Sequence, residues 1–182
     1  MTLKKSLMMF VLLSAMWYAP LASALVPATV PHVMLDEYLG EWYEIGRLPM
    51  PFQNKCVAKV KATYTLKSSN TISIKNECLT HKGSTSVANG EAYVVDDTNA
   101  KLKVSFLPSF LKKLPFGRAD YWVLALDGEG GSYQSALVGT PNQKYLWILS
   151  RDKTLGDDDY ERYLQIAKQN GYDVRLFQKT VQ

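Results

Sequence analysis

Apolar and polar residues alternate along most of the chain between residues 41 and 150, which is the period of a half-buried β-strand. Short turns rich in Gly, Asn, Asp and Pro separate most of these runs, and connections this short make neighbouring strands antiparallel. No helical pattern interrupts the series, which excludes folds that alternate strands with helices. The pattern predicts eight strands: Glu41–Arg47, Cys56–Leu66, Thr71–Glu77, Ser86–Val95, Lys101–Phe106, Asp120–Leu126, Ser135–Val138 and Lys144–Ser150.

Beyond residue 150 the period changes to that of a helix. Three aspartates starting at Asp157 favour a helix N-terminus and Gly171 suits its end, so one amphipathic helix is predicted over roughly residues 157–169. Residues Asp173–Lys179 alternate again and predict a short ninth strand. The apolar face of the helix has the spacing i, i+3, i+4, i+7 and consists of Tyr160, Tyr163, Leu164 and Ala167.

Eight antiparallel strands in sequence favour an all-β, up-and-down barrel, because closure of the sheet removes its exposed edges. A barrel of eight strands is just wide enough to hold one small ligand. On the pattern alone, a β-sandwich remains the rival fold. The chain contains no repeat, no low-complexity tract and no second domain pattern, so one domain over residues 35–182 is expected.

The first 24 residues have the pattern of a cleaved signal peptide. Lys4 and Lys5 precede an apolar run, and Ala22-Ser23-Ala24 is a small-residue cleavage signal. A retained membrane anchor is the alternative, but the run is short for a transmembrane span. Residues 25–34 contain Pro27 and Pro31 and predict an extended lead-in to the domain.

The charge argues against nucleic acid as a partner. The whole chain has a formal net charge of +4, and removal of the two N-terminal lysines lowers it further. The remaining sequence has no long block of Lys and Arg of the kind that binds phosphate backbones.

Cys56 and Cys78 are the only cysteines. An even count in an exported chain favours a disulfide, and the predicted hairpin of the second and third strands brings both residues to nearly the same end. Two free buried thiols are the alternative. The cysteines and the two histidines, His32 and His81, lack zinc-like spacing, so no metal site and no cofactor are expected.

Three motifs carry a family resemblance: Gly40-x-Trp42 at the head of the first strand, then Tyr121–Asp127, then Tyr145–Arg151. Their order and spacing resemble the motifs of lipocalins, most closely the branch of bacterial lipocalins, apolipoprotein D and plant temperature-induced lipocalins. The resemblance spans roughly residue 35 to the C-terminal end of the sequence. It implies an eight-stranded antiparallel barrel followed by a C-terminal helix and a short ninth strand.

The resemblance also assigns structural roles at the narrow end of the barrel. It implies that Trp42, from Gly40-x-Trp42, closes that end and that the guanidinium of Arg151 stacks across the indole ring, where a cation–π contact is stabilising. Lipoprotein members of the family carry a cysteine directly after the signal, whereas this chain has Leu25 there. We therefore expect an exported periplasmic protein, soluble or peripherally membrane-associated, that is not a lipoprotein.

The barrel interior is the predicted ligand site. The pleat alone places the apolar sets of the second, third and fifth strands inward, whereas the strands of residues 121–126 and 145–149 are apolar on both faces and leave their orientation open. The resemblance implies that Trp122 and Trp147 point into the cavity with Tyr64. The predicted ligand-binding residues are Tyr64, Ile74, Asn76, Val104, Phe106, Trp122, Leu124 and Trp147. A barrel filled entirely by side chains is the alternative.

The connection between the fifth and sixth strands, residues 107–116, is unusually apolar for a loop tip. An apolar patch rimmed by lysines suggests contact with a membrane surface, and temperature-induced lipocalins carry a similar stretch linked to membrane association. A lid folded over the barrel mouth is the other interpretation. The predicted contact residues are Phe110, Leu111, Lys112, Lys113 and Phe116.

An aromatic and aliphatic lining with few polar groups suits an apolar or amphiphilic ligand. We expect binding, storage or transport of a lipid, a fatty acid or a lysophospholipid, in envelope lipid maintenance, by a monomer or homodimer. The sequence has no Gly-x-Ser-x-Gly, His-Glu-x-x-His or phosphate-loop motif, so no enzyme is expected. The alternatives are a membrane-surface protective protein acting through residues 107–116, a haem or pigment carrier, and a lipid-modifying enzyme.

Overall fold

The structure, a computed structural model, describes residues 25–108, 110–111, 117–128 and 132–182. The predicted signal peptide, residues 1–24, lies outside the described residues. Two α-helices are described, α1 (Leu35–Tyr38) and α2 (Asp157–Gln169), together with two 3-10 turns, Pro51–Gln53 and Val174–Leu176. The described strands are β1 Gly40–Arg47, β2 Cys56–Ser68, β3 Thr71–Thr80, β4 Thr85–Val94, β5 Lys101–Ser105, β6 Ala119–Asp127, β7 Ser135–Gly139, β8 Leu146–Ser150 and β9 Gln178–Lys179.

The strands form one antiparallel sheet in which each of β2 to β7 pairs with the next strand along the chain. β1 pairs with both β8 and β2, so the sheet closes on itself as an eight-stranded barrel. This architecture confirms the predicted fold, and the eight predicted strands match β1 to β8 with ends shifted by up to three residues. Helix α2 confirms the helix predicted over residues 157–169.

The pairing of β1 with β2 covers only part of the two strands, from Gly40 opposite Tyr64 to Tyr43 opposite Lys61. Beyond that point the chain segment 178–182 fills the gap between them. The Thr180 amide donates to the Ile45 carbonyl at 2.9 Å, and the Lys59 amide donates to the Val181 carbonyl at 2.7 Å. The segment therefore pairs with β1 on one side and with β2 on the other.

The ninth strand is shorter than predicted. Only Gln178–Lys179 forms a strand, because Val174–Leu176 is a 3-10 turn. The Asp173 side chain accepts a hydrogen bond from the Arg175 amide and so caps this turn. Asp, as a short acceptor that bonds nearby backbone amides, favours turns over strands, which the alternation of apolar residues did not reveal.

The barrel has a closed end and an open end. At the closed end, helix α1 contacts the start of β1. Trp42 is fully buried there, and its indole nitrogen donates to the Tyr38 carbonyl at 2.8 Å. Since successive strands alternate in direction, the opposite end carries the connections 48–55, 81–84 and 140–145, together with the described residues that follow β5 and precede β6. We call that end the mouth.

Two apolar layers lie on opposite sides of the barrel wall. The inner layer fills the barrel and includes Trp42, Tyr64, Leu102 and Val138. The outer layer packs helix α2 against β6, β7 and β8 through Tyr163 and other residues. Strand β7 is buried along its whole length because both layers contact it, which explains why the strands near it are apolar on both faces.

The predicted disulfide between Cys56 and Cys78 is confirmed, with the two Cα atoms 5.5 Å apart. It joins the beginning of β2 to the last residues of β3 at the mouth. Cross-linking residues separated by 22 positions stabilises a folded chain by about 3 kcal/mol in the chain-entropy account. The mouth is therefore held covalently on the side where β1 and β2 have separated.

Candidate ligand-binding site

The closed end of the barrel is sealed by Trp42 and Arg151. The Arg151 guanidinium carbon lies 3.9 Å from the centroid of the indole ring. Its three nitrogens donate to backbone carbonyls, from Nη1 to Glu41 at 2.8 Å, from Nη2 to Glu37 at 2.7 Å and from Nε to Tyr133 at 3.2 Å. The structure thus brings together two of the residues that the sequence predicted to close this end.

Gly40, the third of those residues, has φ of +96°, a conformation that side chains rarely adopt. A Cβ at this position would lie 3.3 Å from Nη1 of Arg151. Glycine is therefore required both for the backbone turn into β1 and for the close approach of the guanidinium.

Above this seal lies a small apolar cavity. Its volume is about 20 Å³. Three of the predicted ligand-binding residues, Tyr64, Ile74 and Val104, line it. The remaining lining residues are Val33, Leu35, Tyr38, Ile72, Ala92, Asn99, Leu102, Tyr121 and Val123.

The other predicted ligand-binding residues lie elsewhere. Trp147 packs against the inner layer, and its indole nitrogen donates to Gln53 Oε1 at 3.5 Å near the mouth. Asn76 lies on the inward face of β3, and its buried Oδ1 has no hydrogen-bond partner among the described residues. Phe106 follows β5 at the mouth, 45% exposed, and lies over Gly90, where a Cβ would come within 2.7 Å of its ring.

Trp122 and Leu124 correct the prediction, because they belong to the outer layer with helix α2. Lys101 Nζ lies 4.9 Å from the Trp122 ring. Their neighbours Tyr121 and Val123 face the cavity instead. The physical reason is that large apolar side chains fill the space beneath α2, so both faces of β6 are apolar. The family resemblance assigned the outward face of β6 to the cavity.

Tyr121 belongs to a hydroxyl cluster that sequence reasoning missed. Its hydroxyl lies 2.8 Å from that of Tyr38 and 3.1 Å from that of Tyr64. Burial raises the pKa of Tyr64 to about 12 and raises the pKa of both Tyr38 and Tyr121 well above the usual value. The three phenols stay neutral at physiological pH. Tyr121 lies opposite Leu102, which faces inward. The pairing of β5 with β6 could therefore have predicted that Tyr121 also faces inward.

A buried polar network lies at the mouth end of β1. The Glu44 side chain is 4% exposed and accepts hydrogen bonds from Arg47 Nη1 at 2.8 Å, Gln53 Nε2 at 2.6 Å and Thr180 Oγ1 at 2.6 Å. These donors come from β1, the following 3-10 turn and the segment that fills the gap between β1 and β2. The network therefore ties three chain segments to one carboxylate at the edge of the apolar interior.

The interior has little free space in this structure. A cavity of about 20 Å³ is comparable to the space for one or two water molecules, whereas sites for small organic ligands are usually about 300–1,000 Å³. The lining defines an apolar interior, and a lipid would have to displace side chains to enter it.

The loop at the mouth is described only in part. Phe110 is 80% exposed, and Leu111 is half-buried. The other predicted membrane-contact residues, Lys112, Lys113 and Phe116, lie outside the described residues.

Comparison with known proteins identifies the family of this barrel. The family model of the lipocalin-like domain matches residues 33–182. The chain is a lipocalin. Members of this family bind small hydrophobic ligands and are generally non-enzymatic.

Three relatives belong to the branches that the sequence motifs indicated. Temperature-induced lipocalin-1 of Arabidopsis thaliana is 40% identical over 151 residues, 81% of this chain and 78% of that protein. The outer membrane lipoprotein Blc of Vibrio cholerae is 36% identical over 141 residues, 76% of this lipocalin and 77% of that protein. Apolipoprotein D of Macaca fascicularis is 33% identical over 152 residues, 81% and 76% of the two chains.

The solved structure of lobster apocrustacyanin A1 shares the fold. Its TM-score with this lipocalin is 0.63, over 89% of this chain and 93% of that chain, at 20% sequence identity. At that identity the similarity describes the fold alone. Among the described residues, no helix is long and apolar enough to cross a membrane. The Blc relatives are named as outer membrane lipoproteins, so the expectation that this lipocalin is not one finds no support there and stays a prediction.

Proposed function

We propose that this lipocalin binds and carries a lipid with one long acyl chain, a fatty acid or a lysophospholipid, in the maintenance of the cell envelope. The observation that carries the proposal is the inner layer, which presents a continuous apolar wall from Trp42 at the closed end to Trp147 near the mouth. The small cavity above Trp42 marks the place within that wall where the acyl chain would end. Catalysis forms no part of the proposal.

The energetic argument rests on burial of the acyl chain. Each methylene group taken out of water contributes about 0.8 kcal/mol, so a dozen of them supply roughly 10 kcal/mol before the cost of binding. The cavity is much smaller than an acyl chain, so inner-layer side chains have to move apart on binding. The cost of that movement offsets part of the free energy of burial. Ala62 on β2 and Ala88 on β4 face inward with little side-chain volume, which favours expansion towards the mouth.

The test is a titration of residues 25–182 with palmitic acid and with palmitoyl lysophosphatidylcholine, measured by tryptophan emission. Trp147 packs on the inner layer and Trp122 on the outer layer. We therefore expect a saturable change that persists in Trp122→Phe and is strongly reduced in Trp147→Phe. A saturable change that depends on Trp122 would place the ligand beneath helix α2. No saturable change with either lipid would indicate a barrel that stays filled by side chains.

Contact with a membrane surface is the second candidate function, favoured by one observation. Phe110, at the mouth, is 80% exposed, the largest exposed fraction among the exposed large hydrophobic residues of the described chain. The test is sedimentation with anionic lipid vesicles. We expect Phe110→Ser to weaken binding and the matched control Val87→Ser, a 48% exposed residue on the barrel wall, to leave it unchanged. Equal binding by both variants would rule out a contribution from this loop.

We also propose that the protein acts in the periplasm without a lipid anchor, soluble or peripherally associated with a membrane. The Ala22-Ser23-Ala24 signal followed by Leu25 supports cleavage without acylation, and the Cys56–Cys78 bridge suits an oxidising compartment. Intact-mass measurement of the protein from a Gram-negative host tests this. A chain that starts at Leu25 is expected. A mass increased by acyl groups would contradict it.

A further inference from the structure

The ion pair between Glu44 and Arg47 faces the interior of the barrel. Glu44 lies opposite Leu149 of the inner layer, and Arg47 lies opposite Trp147, which packs on the same layer. Residues directly opposite in a sheet share one face. A bulge between Glu44 and Gly46 makes this possible, since it places Arg47 on the same face as Glu44 at an odd spacing.

Among the described residues, only Nη1 of the Arg47 guanidinium has polar partners. Nη1 donates to Glu44 Oε1 at 2.8 Å and lies 3.4 Å from Thr180 Oγ1. Nε is buried without a hydrogen-bond partner, and no contact among the described residues engages Nη2. The Nε–Nη2 edge is one of the parallel N–H pairs by which arginine binds a carboxylate or phosphate in bidentate fashion.

Glu44 does not engage that edge, because its contact with Arg47 is from Nη1 to Oε1. Oε1 accepts from Arg47 and Thr180, and Oε2 accepts from Gln53. This arrangement fixes the guanidinium at its Nη1 end and leaves the Nε–Nη2 edge without an acceptor among the described residues. A buried N–H donor left without an acceptor is costly and calls for an explanation.

We infer that Arg47 receives the acidic group of the ligand, a carboxylate or a phosphate, in bidentate contact with Nε and Nη2. The inference rests on the proposed binding of a lipid in the barrel and adds the chemistry that the site selects. The acyl chain then lies against the inner layer, with its acidic group held between Trp147 and the Glu44 network. Glu44 has two opposing effects: it fixes the guanidinium in place, and its negative charge weakens the attraction of an anion.

The test compares three probes with the same chain: dodecanoic acid, dodecyl phosphate and dodecan-1-ol. Dissociation constants come from tryptophan emission of the full chain. For the unaltered protein we expect about tenfold tighter binding of one or both acidic probes than of the alcohol. The acidic probe with the larger preference identifies carboxylate or phosphate as the source of the acidic group.

The first variant replaces both members of the ion pair, so that no buried charge is left alone. In the double variant Glu44→Gln with Arg47→Gln, the acidic probes should lose their advantage while the affinity for dodecan-1-ol changes less than about twofold. In Glu44→Gln alone, the acidic probes should bind several-fold more tightly. Arg175→Gln is the matched control, since Arg175 is exposed and pairs with Asp173 on the outside. Thermal unfolding verifies that each variant is folded.

The outcomes separate the two ideas. If all three probes bind the unaltered protein equally, or if the acidic preference survives in the double variant, Arg47 has only the structural role of joining β1 to residues 178–182. The proposed lipid binding then stands without this inference. If no probe binds the unaltered protein, the proposed function fails, and the inference fails with it.

Discussion

Arg151 lies over Trp42 with its guanidinium carbon 3.9 Å from the indole centroid, and the same guanidinium bonds three backbone carbonyls. The cation–π contact and the charged hydrogen bonds both contribute to stability because the group is partly removed from water. One side chain therefore fixes α1, β1 and the connection before β7 at the closed end.

Replacement of this side chain should be costly. We predict that Arg151→Gln lowers the free energy of unfolding by about 2–4 kcal/mol, and that Arg151→Lys restores only part of the loss because an ammonium cannot reach three carbonyls at once. Urea unfolding measures both values. Arg175→Gln, which removes an exposed ion pair, should change stability by less than about 1 kcal/mol. A similar small change for Arg151→Gln would contradict the prediction.

The disulfide gives a second prediction. Cys56→Ser with Cys78→Ser should lower the free energy of unfolding by about 3 kcal/mol, because the bridge closes a loop between residues 22 positions apart. Urea unfolding of the oxidised protein, with and without a thiol reductant, provides the measurement. The reductant should destabilise the unaltered protein and leave the double serine variant unchanged. Equal stability of the two proteins without reductant would mean that the bridge hardly restricts the unfolded chain.

Short-range patterns predicted the strands, the helix and the hairpin that joins the two cysteines, and the family resemblance favoured a barrel over a sandwich. Prediction from the sequence failed where a side chain's direction depends on long-range packing. Trp122 and Tyr121 are both apolar enough to face either layer of β6, and only the position of helix α2 decides between them. No local pattern contains that information.

Arg47 illustrates a second limit. Strict alternation from inward-facing Trp42 assigns the even-numbered residues of β1 to the interior and Arg47 to the outside. The bulge at Glu44–Gly46 shifts the register and turns Arg47 inward. Bulges arise from the pairing of neighbouring strands, so the polar network at the mouth could not be derived from alternation.

The buried phenols predict a loss of stability in alkali. Burial raises the pKa of Tyr64 to about 12 in the folded protein, whereas an unfolded chain ionises its tyrosines near pH 10. Between these values the unfolded state binds fewer protons than the folded state. The contribution is therefore fully present below pH 10 and is lost as the pH rises, by about 1.4 kcal/mol per pH unit.

Substitution isolates this effect from the ionisation of lysines. The fall in unfolding free energy between about pH 10 and 12 should be shallower in Tyr64→Phe than in the unaltered protein. Tyr145→Phe is the matched control, because Tyr145 contacts Phe52 at the mouth and lies outside the hydroxyl cluster. Urea unfolding at several alkaline pH values gives the slopes. An unchanged slope in Tyr64→Phe would show that this phenol ionises equally in both states.

Gly46 provides the last prediction, since the C-terminal segment packs directly on its backbone. A Cβ at this position would lie 2.6 Å from the Phe177 ring and 2.7 Å from the Gln178 carbonyl oxygen. The ring could move, but the carbonyl belongs to the strand that pairs with β1. We therefore expect Gly46→Ala to detach residues 178–182 from β1 and to cost about 1–3 kcal/mol.

Hydrogen exchange distinguishes detachment from general destabilisation. The amide of Thr180, which donates to Ile45, and the amide of Lys59, which donates to Val181, should exchange faster in Gly46→Ala, whereas amides between β3 and β4 should stay protected. Gly156→Ala is the matched control, because a Cβ there meets only Asp159 Oδ2 at 4.0 Å. If exchange rises uniformly across the barrel, the segment is not a separate closing element and the β1–β2 gap opens only with global unfolding.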